Sequence, residues 1–110
     1  MSAQQLTDRI RVFLCEQFQL TPDQVTEMMP NFIATLSVHM ASLERSLASG
    51  DPQTIGKAGH TIKGALLNLG LTSYAELAFA IEKMGKSGDR SVDYKALVAN
   101  LRSQIAPLIG

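Results

Sequence analysis

The chain has no tryptophan, a single cysteine and no excess of either charge. Cys15 can close no internal disulfide, and its place in an apolar helical pattern reads as a buried thiol in a reducing compartment. Lys plus Arg and Asp plus Glu stand at 10 each. No net field therefore draws the protein to nucleic acid or to an anionic membrane. No segment approaches the roughly 18 consecutive apolar residues of a membrane span, and Met1-Ser2-Ala3-Gln4-Gln5 lacks the basic flank and apolar core of a secretory leader. A cytoplasmic, monomeric protein is expected. Ligand-spaced Cys, His and carboxylate clusters are missing, as is a glycine-rich phosphate loop ending in Lys-Ser or Lys-Thr. No metal, nucleotide or other cofactor is expected. Alternation of apolar and polar residues with period two is absent, which excludes a sheet.

What is present is an apolar fraction of 45% spread over 110 residues, enough for one core, so residues 1–110 are read as a single domain. Leu6, Ile10, Phe13, Leu14 and Phe18 recur at spacings of three and four and predict a first helix over about residues 3–18. Thr21-Pro22-Asp23-Gln24 combines an N-cap, a proline at the first helical position and a Gln able to return the capping hydrogen bond. Pro30 predicts a break or kink near Met29, hence a short helix followed by a long one. That divides the chain into an N-terminal helical extension, 1–29, and a bundle, 30–109. The long helix carries Ile33, Leu36, Met40, Leu43 and Leu47 and stops at Ser49-Gly50. Asp51-Pro52 starts the next, with Ile55, Ala58, Ile62, Ala65, Leu66 and Leu69 on its core face and Gly70 at its end. Ser73 with Glu76 reads as a capping box for a helix carrying Tyr74, Leu77, Ala78, Ile81 and Met84, which ends at Gly85-Lys86-Ser87-Gly88. Tyr94, Leu97, Val98, Leu101, Ile105 and Leu108 mark the last. Connections this short join antiparallel neighbours. The expected fold is all-α: an up-down-up-down four-helix bundle with an additional N-terminal helix.

With Ile62 at the centre of the buried face and about 100° per residue, His60 points almost directly away from the core. Gln53, Gly56, Lys57, Lys63, Gly64 and Leu67 share the outward half, and Gly56 and Gly64 lie one turn either side of His60. Each interior glycine costs a helix about 1 kcal/mol relative to alanine, and this helix holds Gly56, Gly59 and Gly64. Gly59, nearer the flank, is explained by close helix packing; Gly56 and Gly64 leave the imidazole uncovered. A neutral imidazole is a nucleophile, and the nearby Lys63 ammonium opposes its protonation and can later pair with an attached anion. His39, on another helix and without this setting, reads as structural or partly exposed.

The segment Ala58-Gly59-His60-Thr61-Ile62-Lys63-Gly64-Ala65, with Leu43-Glu44-Arg45-Ser46-Leu47 and Gly50-Asp51 before it and Gly70 after it, resembles the histidine-containing phosphotransfer (HPt) domain family. The resemblance runs from about Phe32 to Leu108, with weaker agreement at Leu77-Ala78 and Ile81-Glu82. It implies that His60 is the phosphoacceptor through its outer ring nitrogen, that Lys63 assists electrostatically, and that Gly64 gives a partner's active site room. Gly56, Lys57, Gly64 and Leu67 would form the docking surface. The implied function is a phosphocarrier in a multistep, two-component phosphorelay, between a receiver domain or sensor histidine kinase and a response regulator. The carrier would not be an autonomous enzyme, since the partner brings the aspartate and Mg²⁺. Two other readings stand beside it: a helical adaptor without phosphate chemistry, and the N-terminal phosphotransfer domain of a larger sensor or chemotaxis-type kinase.

Overall fold

A computed structural model describes residues 1–110 and contains five α-helices and no strand: α1 Ala3–Phe18, α2 Pro22–Ser46, α3 Pro52–Asn68, α4 Thr72–Lys86 and α5 Tyr94–Ile109. A single 3-10 turn, Leu47–Ser49, separates α2 from α3. Helices α2 to α5 form a four-helix bundle in which α2 lies beside α3, α3 beside α4, α4 beside α5 and α5 beside α2. Helix α1 packs along α2 and α5. The fold is the expected one. No helix is long and apolar enough to cross a membrane.

The helix starts follow from local chemistry. Ser2 and Thr21 each accept from the backbone N–H three residues on, while Gln5 and Gln24 return the bond to the cap residue's own N–H. Asp51 caps α3 and Asp93 caps α5. The capping box expected from Ser73 and Glu76 does not form. Helix α4 begins at Thr72, with Leu71 as its cap residue and no side-chain cap. Leu71 is buried, and its carbonyl accepts from Ala75, so the core anchors this entry instead of a hydroxyl. Gly70, at φ +72, closes α3: its N–H bonds Leu67 O and that of Leu71 bonds Leu66 O, a Schellman ending that a left-handed residue makes possible. The Phe13 ring of α1 lies where a Cβ at Gly70 would project.

Two expectations about the N-terminal half are corrected. Phe18 does not join the core but sits exposed at the end of α1, with its ring edge-on to Phe13. Cys15 is half-buried rather than buried. A larger correction concerns Pro30, which neither breaks nor ends its helix: α2 runs without interruption for 25 residues. The reason lies in the seam. Val25 and Met29 before the proline and Leu36, Met40 and Leu43 after it are all buried, at spacings that only one continuous helix satisfies. The proline ring faces solvent, and the apolar burial on both sides outweighs the missing N–H. Replacing Pro30 with alanine restores that donor and removes the steric conflict. Set against a looser unfolded chain, the change is expected to stabilise the protein by about 1–2 kcal/mol, read from the urea midpoint.

The core contains 22 buried hydrophobic residues drawn from every helix. Helix α3 has neighbours on two sides, with α2 on one and α4 on the other. Its buried arc is accordingly wider than one stripe, which bears directly on the residues around His60.

Candidate functional site

His60 stands in the third turn of α3 with 59% of its side chain exposed. The outward direction inferred for it holds, yet the ring is not free. Its Nδ1 lies 2.9 Å from Oε2 of Glu82, on α4. Glu82 is the one buried charged residue of the protein. Its other oxygen, Oε1, meets the Lys63 ammonium at 2.6 Å, and the Lys86 ammonium reaches Oε2 at 2.9 Å. Lys63 lies at the same time 5.1 Å from the centroid of the Phe79 ring, within range of a cation–π attraction.

Close approach of two backbones makes this network possible. A Cβ on Gly56 would come within 2.8 Å of Lys86 N, one on Gly59 within 3.1 Å of Glu82 N, and one on Gly85 within 2.5 Å of Pro52 O. Without side chains at these positions, α3 and α4 draw together until the short Glu82 carboxylate reaches the imidazole. Gly59 packs as expected. Gly56 does not lie on the outward surface: it is buried against the last turn of α4 and exposes nothing to a partner. It lies about 120° around the helix from Ile62, a position outside a single buried stripe but inside the arc of a helix flanked on both sides.

Burial pushes the Glu82 carboxyl up, but the polar contacts from Lys63, Lys86 and His60 outweigh it and bring the carboxyl from 4.5 down to about 2. Glu82 is therefore a carboxylate at any ordinary pH. A carboxylate only accepts, so Nδ1 carries a proton and donates to it. In the neutral ring the lone pair then sits on Nε2, the nitrogen that Glu82 does not engage. One carboxylate and two ammonium groups leave a single positive charge beside the ring.

The remaining positions fall into two groups. Gly64 has nothing within 4 Å of where its Cβ would be, Lys57 is exposed, and Leu67 is 46% exposed, so all three lie open on the His60 side of α3. Gly64 and Thr61 border a groove of about 510 Å³ between α2 and α3, whose other wall includes Phe32, Thr35 and half-buried His39. Leu67 and Lys63 border a smaller groove of about 270 Å³, together with Thr72 and Phe79 of α4. His39 faces the first groove and takes no part in the His60 network. No group of three His, Cys, Asp or Glu side chains stands anywhere in position to hold a metal ion.

Sequence assigns no role to Lys86 or Phe79, and it names Glu82 only within the weaker Ile81-Glu82 agreement, with no part in the site. The signal that could have found Glu82 is its line: Ala75, Ala78, Glu82 and Gly85 are all buried and recur at spacings of three and four. A carboxylate interrupting a seam of small residues implies a polar partner on the facing helix.

The family model of the Hpt domain matches residues 27–108, from the second turn of α2 to the end of α5. No curated protein and no solved structure matches the chain.

Proposed function

We infer, for a chain that belongs to the Hpt domain family and so to the phosphotransfer modules of phosphorelay signalling, that His60 Nε2 is the atom that carries the phosphoryl group. One observation carries this reading. A buried, ionised carboxylate holds the proton on Nδ1, and so the unprotonated nitrogen of the neutral ring is the one left free on a side chain that is largely exposed.

The step is a displacement at phosphorus. The Nε2 lone pair attacks the phosphoryl group of a receiver domain's aspartyl phosphate; the N–P bond forms as the P–O bond to the aspartate breaks, and the receiver's carboxylate leaves. The imidazole then bears positive charge, which Glu82, at the Nδ1–H, stabilises in place. Delivery to a response regulator is the same step in reverse. Alignment and charge neutralisation dominate such transfers, and a divalent ion held by the receiver would neutralise charge on the phosphoryl oxygens. The carrier's part is to hold a nucleophile rigidly at the surface. Lys57, Gly64 and Leu67 form the floor on which the partner lands, and the missing Cβ at Gly64 lets it approach one turn from His60.

Incubation with Mg²⁺ and phosphorylated receiver domains tests this. Label is expected to move to the protein as an acid-labile, alkali-stable linkage located by mass spectrometry at His60. Failure with every receiver of the source organism would overturn the reading.

A further inference from the structure

Two lysines on one carboxylate are more than its ionisation needs, and they are not equivalent. Lys86 sits on the same helix as Glu82, four residues on, in the orientation that favours a Glu–Lys pair. Its ammonium makes a 2.9 Å hydrogen bond to Oε2, the oxygen that also accepts from His60 Nδ1. Lys63 sits on α3 with His60, three residues on, and reaches Oε1 as a close ion pair. That oxygen is buried and receives no well-aligned hydrogen bond. The Lys63 pair thus bridges the two helices, whereas the Lys86 pair lies within α4 and does not depend on α3.

We propose that Lys86 is a positioning residue that keeps Glu82 neutralised and against His60 while Lys63 leaves the carboxylate to pair with the phosphoryl group on the imidazole. This rests on the reading of His60 as phosphoacceptor. Moving a cation off a buried carboxylate is costly unless another remains, because the stranded charge loses its partner without regaining water. Lys86 removes that obstacle. The site starts with one surplus positive charge, and phosphorylation adds negative charge one turn from Lys63; the long lysine stem lets the ammonium follow it. Lys63 then serves each state in turn, with Lys86 filling the role it vacates.

Phosphoramidate, a small phosphoryl donor, loads the protein without a partner, and the lysine ¹³Cε resonances report each ammonium's surroundings. On loading, the Lys63 signal is expected to move and the Lys86 signal to stay. In Lys86→Gln the Lys63 signal is expected to stay on loading, and uptake to slow about two- to fivefold, the scale of one partly exposed ion pair. Lys86→Arg is expected to restore both. Movement of the Lys86 signal instead, or a Lys63 response in Lys86→Gln equal to that of the parent, would overturn the proposal. Absence of any label on His60 in the parent chain would instead overturn the phosphoacceptor reading on which it rests.

Discussion

His60→Gln is expected to take up no phosphoryl group from any donor while folding as the parent does. The side chain is 59% exposed, so its removal opens no cavity in the core. Glutamine retains an N–H donor of similar reach for Glu82, and the buried carboxylate keeps Lys63 and Lys86 as well. What disappears is the ring nitrogen lone pair, for which an amide offers no substitute nucleophile. The expected loss is to background, with a circular dichroism spectrum and urea midpoint close to the parent's. The same variant separates the phosphocarrier from a helical adaptor that works through its surface alone, because an adaptor's signalling would survive the substitution. His39 does not stand in for His60: it faces the groove between α2 and α3 without a carboxylate on its ring or a lysine one turn on.

The helices were legible in the sequence because each is amphipathic and all but α4 start at a side-chain cap, and both properties act within a few residues of chain. Leu6, Ile10 and Leu14 on α1, or Leu36, Met40 and Leu43 on α2, are buried as their spacing predicts. Errors arose where a local rule met a longer-range force. Pro30 disfavours a helix locally, yet burial at Val25 and Met29 on one side and Leu36 on the other carries α2 through it. Ser73 and Glu76 match a capping box, but buried Leu71 sets the start of α4 two residues earlier than Ser73 would as a cap. The site divides the same way. His60, Lys63 and Gly64 lie within one and a half turns, so helical geometry alone groups them. Glu82 is 22 residues from His60, and only the packing of α3 on α4 brings it there. That packing depends on Gly56, Gly59 and Gly85, whose role as contact points is invisible until the neighbour is known. Gly56 falls outside a single buried stripe for the same reason, because α3 is buried on two sides.

Glu82→Gln is expected to slow phosphoryl uptake by about ten- to a hundredfold, the scale seen when the hydrogen-bond partner that orients a metal-ligating imidazole is removed. Glutamine fills the same space, so packing between α3 and α4 is retained and the change isolates charge. An amide presents both a carbonyl and an NH₂ group to the ring, so it no longer compels Nδ1 to hold the proton, and Nε2 loses its lone pair in part of the molecules. The positive ring formed on phosphorylation also loses its counterion. Stability provides a second, independent readout. The Glu82 carboxyl is held at about 2 in the folded protein against 4.5 as its ordinary value. A carboxyl lowered by folding contributes stability that is fully present above the ordinary value and is lost as pH falls from there through the folded one. The parent is therefore expected to lose on the order of 2–3 kcal/mol from this group between about pH 5 and pH 2, with the half-exposed Lys86 placing it towards the lower end. Glu82→Gln should show a shallower decline across that window and little difference in slope above it. Urea unfolding at a series of pH values measures this directly. A parallel decline in the two proteins would mean that the carboxylate is not paired as the structure has it, and the assignment of the Nδ1 proton would fall with it.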